Sequence, residues 1–242
     1  LTKEDGLAND NVWTVIRHPG GGLWAGTAGG LNRLQDGFVT STLTSEVSGA
    51  GDSVEALAYD WEGNLWVGTN AGISRLPFGP WSTESHPLLQ FTEVKDLLPG
   101  ADGTSYAVTE AGVVYRTPAG EWTLLDETEL GQVVYTLVRG PDGAIWAGTN
   151  SGLARLEAGR FTADTRVPGD LRVPALLFDS KGDLWAGTNE GLYRVSGGEV
   201  MLFSKASGEL GQNSVLALWE TATGDLWVGT LNGGARRYRD GT

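Results

Sequence analysis

A short block returns along this chain at nearly even intervals. It reads Gly22-Leu23-Trp24-Ala25-Gly26-Thr27, then Asn64-Leu65-Trp66-Val67-Gly68-Thr69, Ala144-Ile145-Trp146-Ala147-Gly148-Thr149, Asp183-Leu184-Trp185-Ala186-Gly187-Thr188 and Asp225-Leu226-Trp227-Val228-Gly229-Thr230. A decayed copy, Thr104-Ser105-Tyr106-Ala107-Val108-Thr109, fills the one gap in the series. The anchors Trp24, Trp66, Tyr106, Trp146, Trp185 and Trp227 stand 42, 40, 40, 39 and 42 residues apart. Repeats of that period mean stacked supersecondary units, each too small to bury its own apolar face. With 37 glycines in 242 residues, each costing about 1 kcal/mol inside a helix, those units are not helical.

Each unit reads as a small antiparallel sheet. Twelve residues before the anchors stand Val12, Val54, Val94, Val134, Val173 and Val215; nine before them stand Val15, Leu57, Leu97, Leu137, Leu176 and Leu218. These mark a first strand. In period-two geometry the two positions, three apart, face opposite sides, so both faces are expected to be buried. Turns rich in Gly, Asp and Asn, such as Asp60-Trp61-Glu62-Gly63 and Ser180-Lys181-Gly182-Asp183, lead into the anchor strand. A glycine turn (Thr27 to Gly30 and its counterparts) leads into a third strand carrying Leu31-Asn32-Arg33-Leu34 and its equivalents, and a looser fourth strand follows. Four antiparallel strands in about forty residues describe a propeller blade, so the sequence predicts an all-β, six-bladed β-propeller in one domain, 1–242.

The residues beyond Trp227 and those before Trp24 together make one further repeat length. The first few residues are therefore expected to supply the outer strand of the blade whose inner three run from Val215 to Arg239, closing an open edge. A stretch cut at repeat boundaries from a longer array would leave the same remainder.

Asp5-Gly6-Leu7-Ala8-Asn9-Asp10-Asn11-Val12-Trp13 and Gly22-Leu23-Trp24-Ala25-Gly26-Thr27-Ala28-Gly29-Gly30-Leu31-Asn32-Arg33-Leu34 resemble the two-component regulator propeller repeat. Five of six copies keep Trp-x-Gly-Thr and the glycine-then-arginine pattern; the third departs, with Tyr106, Val108 and Tyr115 in place of Trp, Gly and Arg. The resemblance implies a non-catalytic sensor module like the extracytoplasmic propellers of bacterial histidine-kinase receptors, placed in the periplasm or outside the cell and detecting nutrients such as glycan fragments. Its motif residues are structural and transfer no site.

Chemistry-bearing residues are few. Without cysteine there is no thiolate metal site, disulfide or cysteine nucleophile. A formal charge of −13 argues against nucleic acid and anionic membrane as partners, and no apolar run approaches the roughly 18 residues of a spanning helix. His18 and His86, the two histidines, fall in a turn and an irregular stretch, so no catalytic triad, no metal site and no cofactor are expected. The similarity to streptogramin-lyase-like propellers leaves a lyase as the alternative enzyme reading, although neither histidine lies on a first strand. The Asp/Gly turns read as hairpins rather than calcium loops, because every repeat needs one and their acidic content varies.

Function is expected where the repeats disagree, since packing is satisfied by what they share. Eleven before the anchors stand Trp13, Glu55, Lys95, Tyr135, Pro174 and Leu216; thirteen before, Asn11, Ser53, Glu93, Val133, Arg172 and Ser214. Loops after the anchor strands add Asn70, Glu110, Asn150, Glu190 and Asn232. A cup at the channel mouth with Trp13 and Tyr135 as stacking surfaces, and Asn11, Asp52, Glu55, Lys95, Gln132 and Arg172 as hydrogen-bonding groups, suits a neutral polar ligand such as an oligosaccharide. Glu55 and Glu93 are the one acid/base pair to test for an enzyme. A protein-interaction scaffold would instead use Trp61, Trp81 and Trp122 as exposed anchors. The chain itself is expected to be monomeric.

Overall fold

The computed structural model describes residues 1–44, 52–76, 82–83, 86–89, 92–100, 102–125 and 133–239. The fold class is the expected one, an all-β six-bladed β-propeller. Blade 1 comprises β1 (Val12–Arg17), β2 (Leu23–Thr27), β3 (Gly30–Gln35) and β4 (Phe38–Leu43). Blade 2 holds β5 (Val54–Tyr59), β6 (Leu65–Thr69), β7 (Gly72–Leu76) and β8 (Ser82–Thr83), and blade 3 holds β9 (Val94–Pro99), β10 (Ser105–Thr109), β11 (Gly112–Arg116) and β12 (Trp122–Leu124). Blade 4 has β13 (Val134–Arg139), β14 (Ile145–Thr149), β15 (Gly152–Glu157) and β16 (Arg160–Asp164); blade 5 has β17 (Ala175–Phe178), β18 (Leu184–Gly187), β19 (Leu192–Ser196) and β20 (Glu199–Phe203). Blade 6 is three-stranded, with β21 (Val215–Glu220), β22 (Leu226–Thr230) and β23 (Gly234–Tyr238). Two compact units divide the chain: Leu1–Leu125 with blades 1 to 3, and Asp126–Thr242 with blades 4 to 6.

The repeated letters are structural. In every blade the Thr at or just past the end of the anchor strand donates its hydroxyl to the carbonyl of the glycine at or just before the start of the third strand, as in Thr69 to Gly72 (3.1 Å) and Thr188 to Gly191 (2.9 Å). That glycine sits at positive φ, +140° at Gly72 and +145° at Gly191, where a side chain would be strained. The Trp and the Arg nine residues on are cross-strand partners, and the guanidinium lies over the indole: Arg75 on Trp66 at 5.6 Å, Arg155 on Trp146 at 5.5 Å, Arg194 on Trp185 at 5.1 Å. The same Arg then ties down the hairpin turn, through Arg75–Glu62, Arg155–Asp142 and Arg194–Asp183. In blade 3 both letters change together, and Tyr106 and Tyr115 face each other as rings 6.1 Å apart.

Packing between blades departs from simple alternation. Val54 pairs with Thr69 but Ala56 with Gly68, so Glu55 is one residue too many, a β-bulge. Corresponding bulges fall at Trp13, Lys95, Tyr135 and Leu216. The bulge resets the period, so Val54 and Leu57 share the face toward blade 1 rather than taking opposite sides as expected. The side toward the next blade is supplied by Ala58 and the anchor Trp66, which join Val94 and Leu97 of blade 3. Glycine two residues after the anchor is the recess for the next blade's Val. A Cβ on Gly26, Gly68 or Gly187 would stand 2.6, 2.7 or 2.6 Å from the Cγ1 of Val54, Val94 or Val215.

The expected closing strand is not formed. Residues 1–11 hold a 3-10 turn at Lys3–Asp5 and no strand, and they lie on blade 1, where Ala8 N–H donates to Asn32 Oδ1 (3.0 Å) and Asn32 donates to the Gly6 carbonyl. The physical cause is local. Asp5 caps its own turn by accepting from the Thr2 N–H, Gly6 turns the chain at φ +100°, and Asp10 accepts from the Lys3 N–H, so the segment folds on itself instead of running extended.

Candidate functional site

The bulges decide where the variable residues point. A bulged residue has no ladder partner and is re-aimed relative to its neighbours, so the position eleven before the anchor, which differs in every repeat, is freed from packing. Two residues earlier, the strand is pinned to the loop after the anchor strand. Asn70, Asn150 and Asn189 donate their backbone N–H to the carbonyls of Ser53, Val133 and Arg172 at 3.1, 2.9 and 3.3 Å. In blades 5 and 6 this loop residue is Asn189 or Leu231, one position earlier than the expected Glu190 and Asn232.

In the first unit, five of these residues form one connected group. The Trp13 indole N–H donates to Ser53 Oγ (3.1 Å), and Ser53 Oγ donates to Glu55 Oε1 (3.2 Å). Glu55 is hydrogen-bonded to Glu93 and feels the charge of Lys95. Two carboxyls can share a hydrogen bond only with a proton on one of them. Burial, followed by the bond to Glu93 and its charge, pushes Glu55 up to about 7, against the opposing pull of Ser53 and Lys95. Trp13 leaves 56% of its surface exposed beside this group. Asn11 and Asp52, also expected here, are exposed; Asn11 N–H donates to Asn9 Oδ1.

In the second unit Tyr135 and Arg172 come together, the guanidinium 4.8 Å above the phenol ring. Asn189 Oδ1 accepts from the Arg172 N–H (2.8 Å) and Asn150 Oδ1 from the Val133 N–H (3.0 Å), so both amides hold strand starts. Gln132 lies outside the described residues, as does Trp81. Trp122, expected as an exposed anchor, is buried edge-on against Trp66, whereas Trp61 is 65% exposed at its hairpin tip.

Other chemistry is already committed. His18 Nδ1 accepts from Gly20 N–H, the ring leans on Trp24 and Tyr59, and burial and then Arg33 lower its pKa. His86 Nδ1 accepts from Leu88 N–H. The turn acids face protein donors. Asp60 accepts from Glu62 N–H, Asn64 N–H and the Trp66 indole, and Asp179 from Lys181 N–H, Asp183 N–H and the Trp185 indole. Among the described residues no three His, Asp or Glu side chains are grouped to hold a metal ion. Sequence reasoning missed one concavity, of about 520 Å³, lined by Leu192, Phe203, Leu210, Val228 and Tyr238 along the unpaired side of β23.

Residues 167–190, which carry the blade 5 anchor, match the family model described as two component regulator propeller. No curated protein has a sequence matching the chain significantly. Among solved structures, the extracellular domain of BT4673 from B. thetaiotaomicron superposes at TM-score 0.77 with 18% identity, over 98% of this chain and 34% of that one. PorZ, a surface component of the type-IX secretion system of Porphyromonas gingivalis, superposes at 0.72 with 18% identity, over 93% of this chain and 38% of that one. Virginiamycin B lyase from Staphylococcus aureus gives 0.72 with 17% identity, over 96% and 85%. The chain thus spans little more than a third of BT4673 or PorZ. At these identities the likeness is one of fold, shared by an extracellular domain of a bacterial one component system, a secretion-system surface component and a lyase.

Proposed function

We propose that this chain is a ligand-binding sensor propeller whose site is the bulge-borne group of blades 1 to 3, taking a neutral polar ligand such as an oligosaccharide. The observation that carries the reading is the connected chain Trp13, Ser53, Glu55 and Glu93 at first-strand positions that differ in every repeat. Trp13 offers a flat apolar face for a sugar ring, and the shared-proton carboxyls offer both a donor and acceptors beside it. Tyr135 under Arg172 is the corresponding stacking surface of the second unit. The extracellular domain of BT4673 supports a placement in the periplasm or outside the cell. No helix among the described residues is long and apolar enough to cross a membrane.

The test is a thermal-shift screen of neutral oligosaccharides with the wild type, Trp13→Ala and Tyr135→Ala. A shift by one class of glycan that vanishes in Trp13→Ala, with unchanged unliganded melting, supports the site. No shift from any glycan, or a shift that survives both substitutions, rejects it.

One observation favours an enzyme as a second reading: a Glu55 carboxyl near 7 beside a second carboxyl suits general acid/base work. Turnover of a glycan or lactone that is abolished by both Glu55→Gln and Glu93→Gln would select it over simple binding.

A further inference from the structure

Nothing in the strand ladder orients Trp13. It sits on the bulge of β1, where Val12 pairs with Thr27 and Thr14 with Gly26, and a residue so placed takes no direction from the sheet. Its indole N–H reaches Ser53 Oγ at 3.1 Å, forty residues along the chain on the next blade. Ser53, by contrast, is a fixed point. It is half-buried, and its carbonyl accepts from the Asn70 N–H (3.1 Å), which ties the residue just ahead of β5 to the loop after β6.

A serine hydroxyl has one proton to give. Here it goes to Glu55 Oε1 (3.2 Å), so the oxygen meets the indole as an acceptor. The bonds run one way, from Trp13 to Ser53 and from Ser53 to Glu55, and Glu55 is in turn hydrogen-bonded to Glu93. Bonds in such a chain polarise one another, so charge gained at the carboxyl end strengthens the indole bond at the other. The repeat alone does not build this linkage. A hydroxyl residue returns thirteen before the anchor at Ser214, but the variable residues of the same two blades are Pro174 and Leu216, with neither an indole nor a carboxyl.

We infer that Ser53 is the positioning residue of this site, holding the Trp13 ring in one orientation by linking its indole N–H to the carboxyl pair of Glu55 and Glu93. With its N–H committed, Trp13 turns a ring face and no donor toward a ligand, and the hydrogen-bonding groups come from the pair instead. That this face receives a sugar rests on the function proposed above; the linkage itself does not. The charged groups acting on Glu55 are Glu93 and Lys95, both from the blade 3 side. Trp13 of β1 is uncharged, and so is β6 beside it, Leu65–Thr69.

Two-dimensional NMR of the isotope-labelled chain tests it through the Trp13 indole N–H, whose resonance is the one missing from Trp13→Phe. In the wild type this resonance is expected to move downfield as pH rises through about 7, where the pair gives up its proton, and to stay in place in Glu55→Gln. Ser53→Ala, folded by circular dichroism, is expected to abolish the titration and to let the indole proton exchange about fivefold faster, the factor that one ordinary hydrogen bond supplies. Ser53→Thr, which keeps the hydroxyl, is expected to restore both. A resonance that does not titrate in the wild type overturns the inference, as does one that titrates equally, or exchanges no faster, in Ser53→Ala. Should Ser53→Ala fail to fold, Glu55→Gln decides: a titration lost there supports the linkage, and one equal to the wild type's overturns it. No ligand enters the measurement, so its failure leaves the glycan reading untouched, and a glycan screen without a hit leaves the linkage standing.

Discussion

Glu55 shows how a residue can be exempt from the rules its neighbours obey. The Val before it and the Ala after it are buried ladder residues; the bulge between them carries a carboxylate at no packing cost. The cost is electrostatic. Because the folded state raises its pKa from an ordinary 4.5 to about 7, the folded chain holds the proton more tightly than the unfolded one. Stability from this group is therefore greatest at low pH and declines as pH rises from about 4.5 to about 7. We expect Glu55→Gln to melt higher than the wild type at pH 8 and to lose that advantage near pH 5, as differential scanning calorimetry at the two pH values would show. The turn acids act oppositely. Burial raises Asp60, but bonds from Asn64 and Trp66 and the charge of Arg75 outweigh it and lower its pKa, so its contribution is lost only as pH falls below about 4. That Glu55 and Glu93 lie at unlike positions of like strands was legible in the sequence. Their hydrogen bond was not, because the bulge that aims them leaves no mark in composition.

At the scale of the blade, the repeat letters translate directly: Thr to the glycine carbonyl, Arg onto Trp, glycine beneath the next Val. This is why the strands, the turns and the number of blades could be read from spacing alone, while the facing of Val54 and Leu57 could not. Trp66 is buried to 2%, meets Trp122 edge-on and carries two guanidinium groups, Arg75 and Arg116, on its ring. Trp66→Ala is expected to cost about 3 to 5 kcal/mol in urea unfolding of the chain. Gly68→Val tests the recess. It would push a branched side chain into Val94, and a loss of about 1 to 3 kcal/mol is expected from overpacking. The expected clasp failed at this scale as well. Spacing counted residues correctly, but the Thr2–Asp5 cap and Gly6 commit the first residues to a turn.

For the molecule as a whole, shared positions are spent on packing, and the proposed site rests on unshared ones. Trp24, Trp66, Trp146 and Trp185 look like sugar platforms in isolation and are buried, while Trp13, on a bulge, is open. A charge of −13 disfavours polyanions as partners. The most direct test is calorimetric titration of the wild type at pH 6 and pH 8 with whichever oligosaccharide raises its melting temperature most, repeated on Trp13→Ala. Tighter binding at pH 6, where Glu55 keeps its proton, and loss of binding in Trp13→Ala are the predicted results. Equal affinity at both pH values, undiminished in Trp13→Ala, would put the ligand somewhere other than the first-strand bulges and contradict the account.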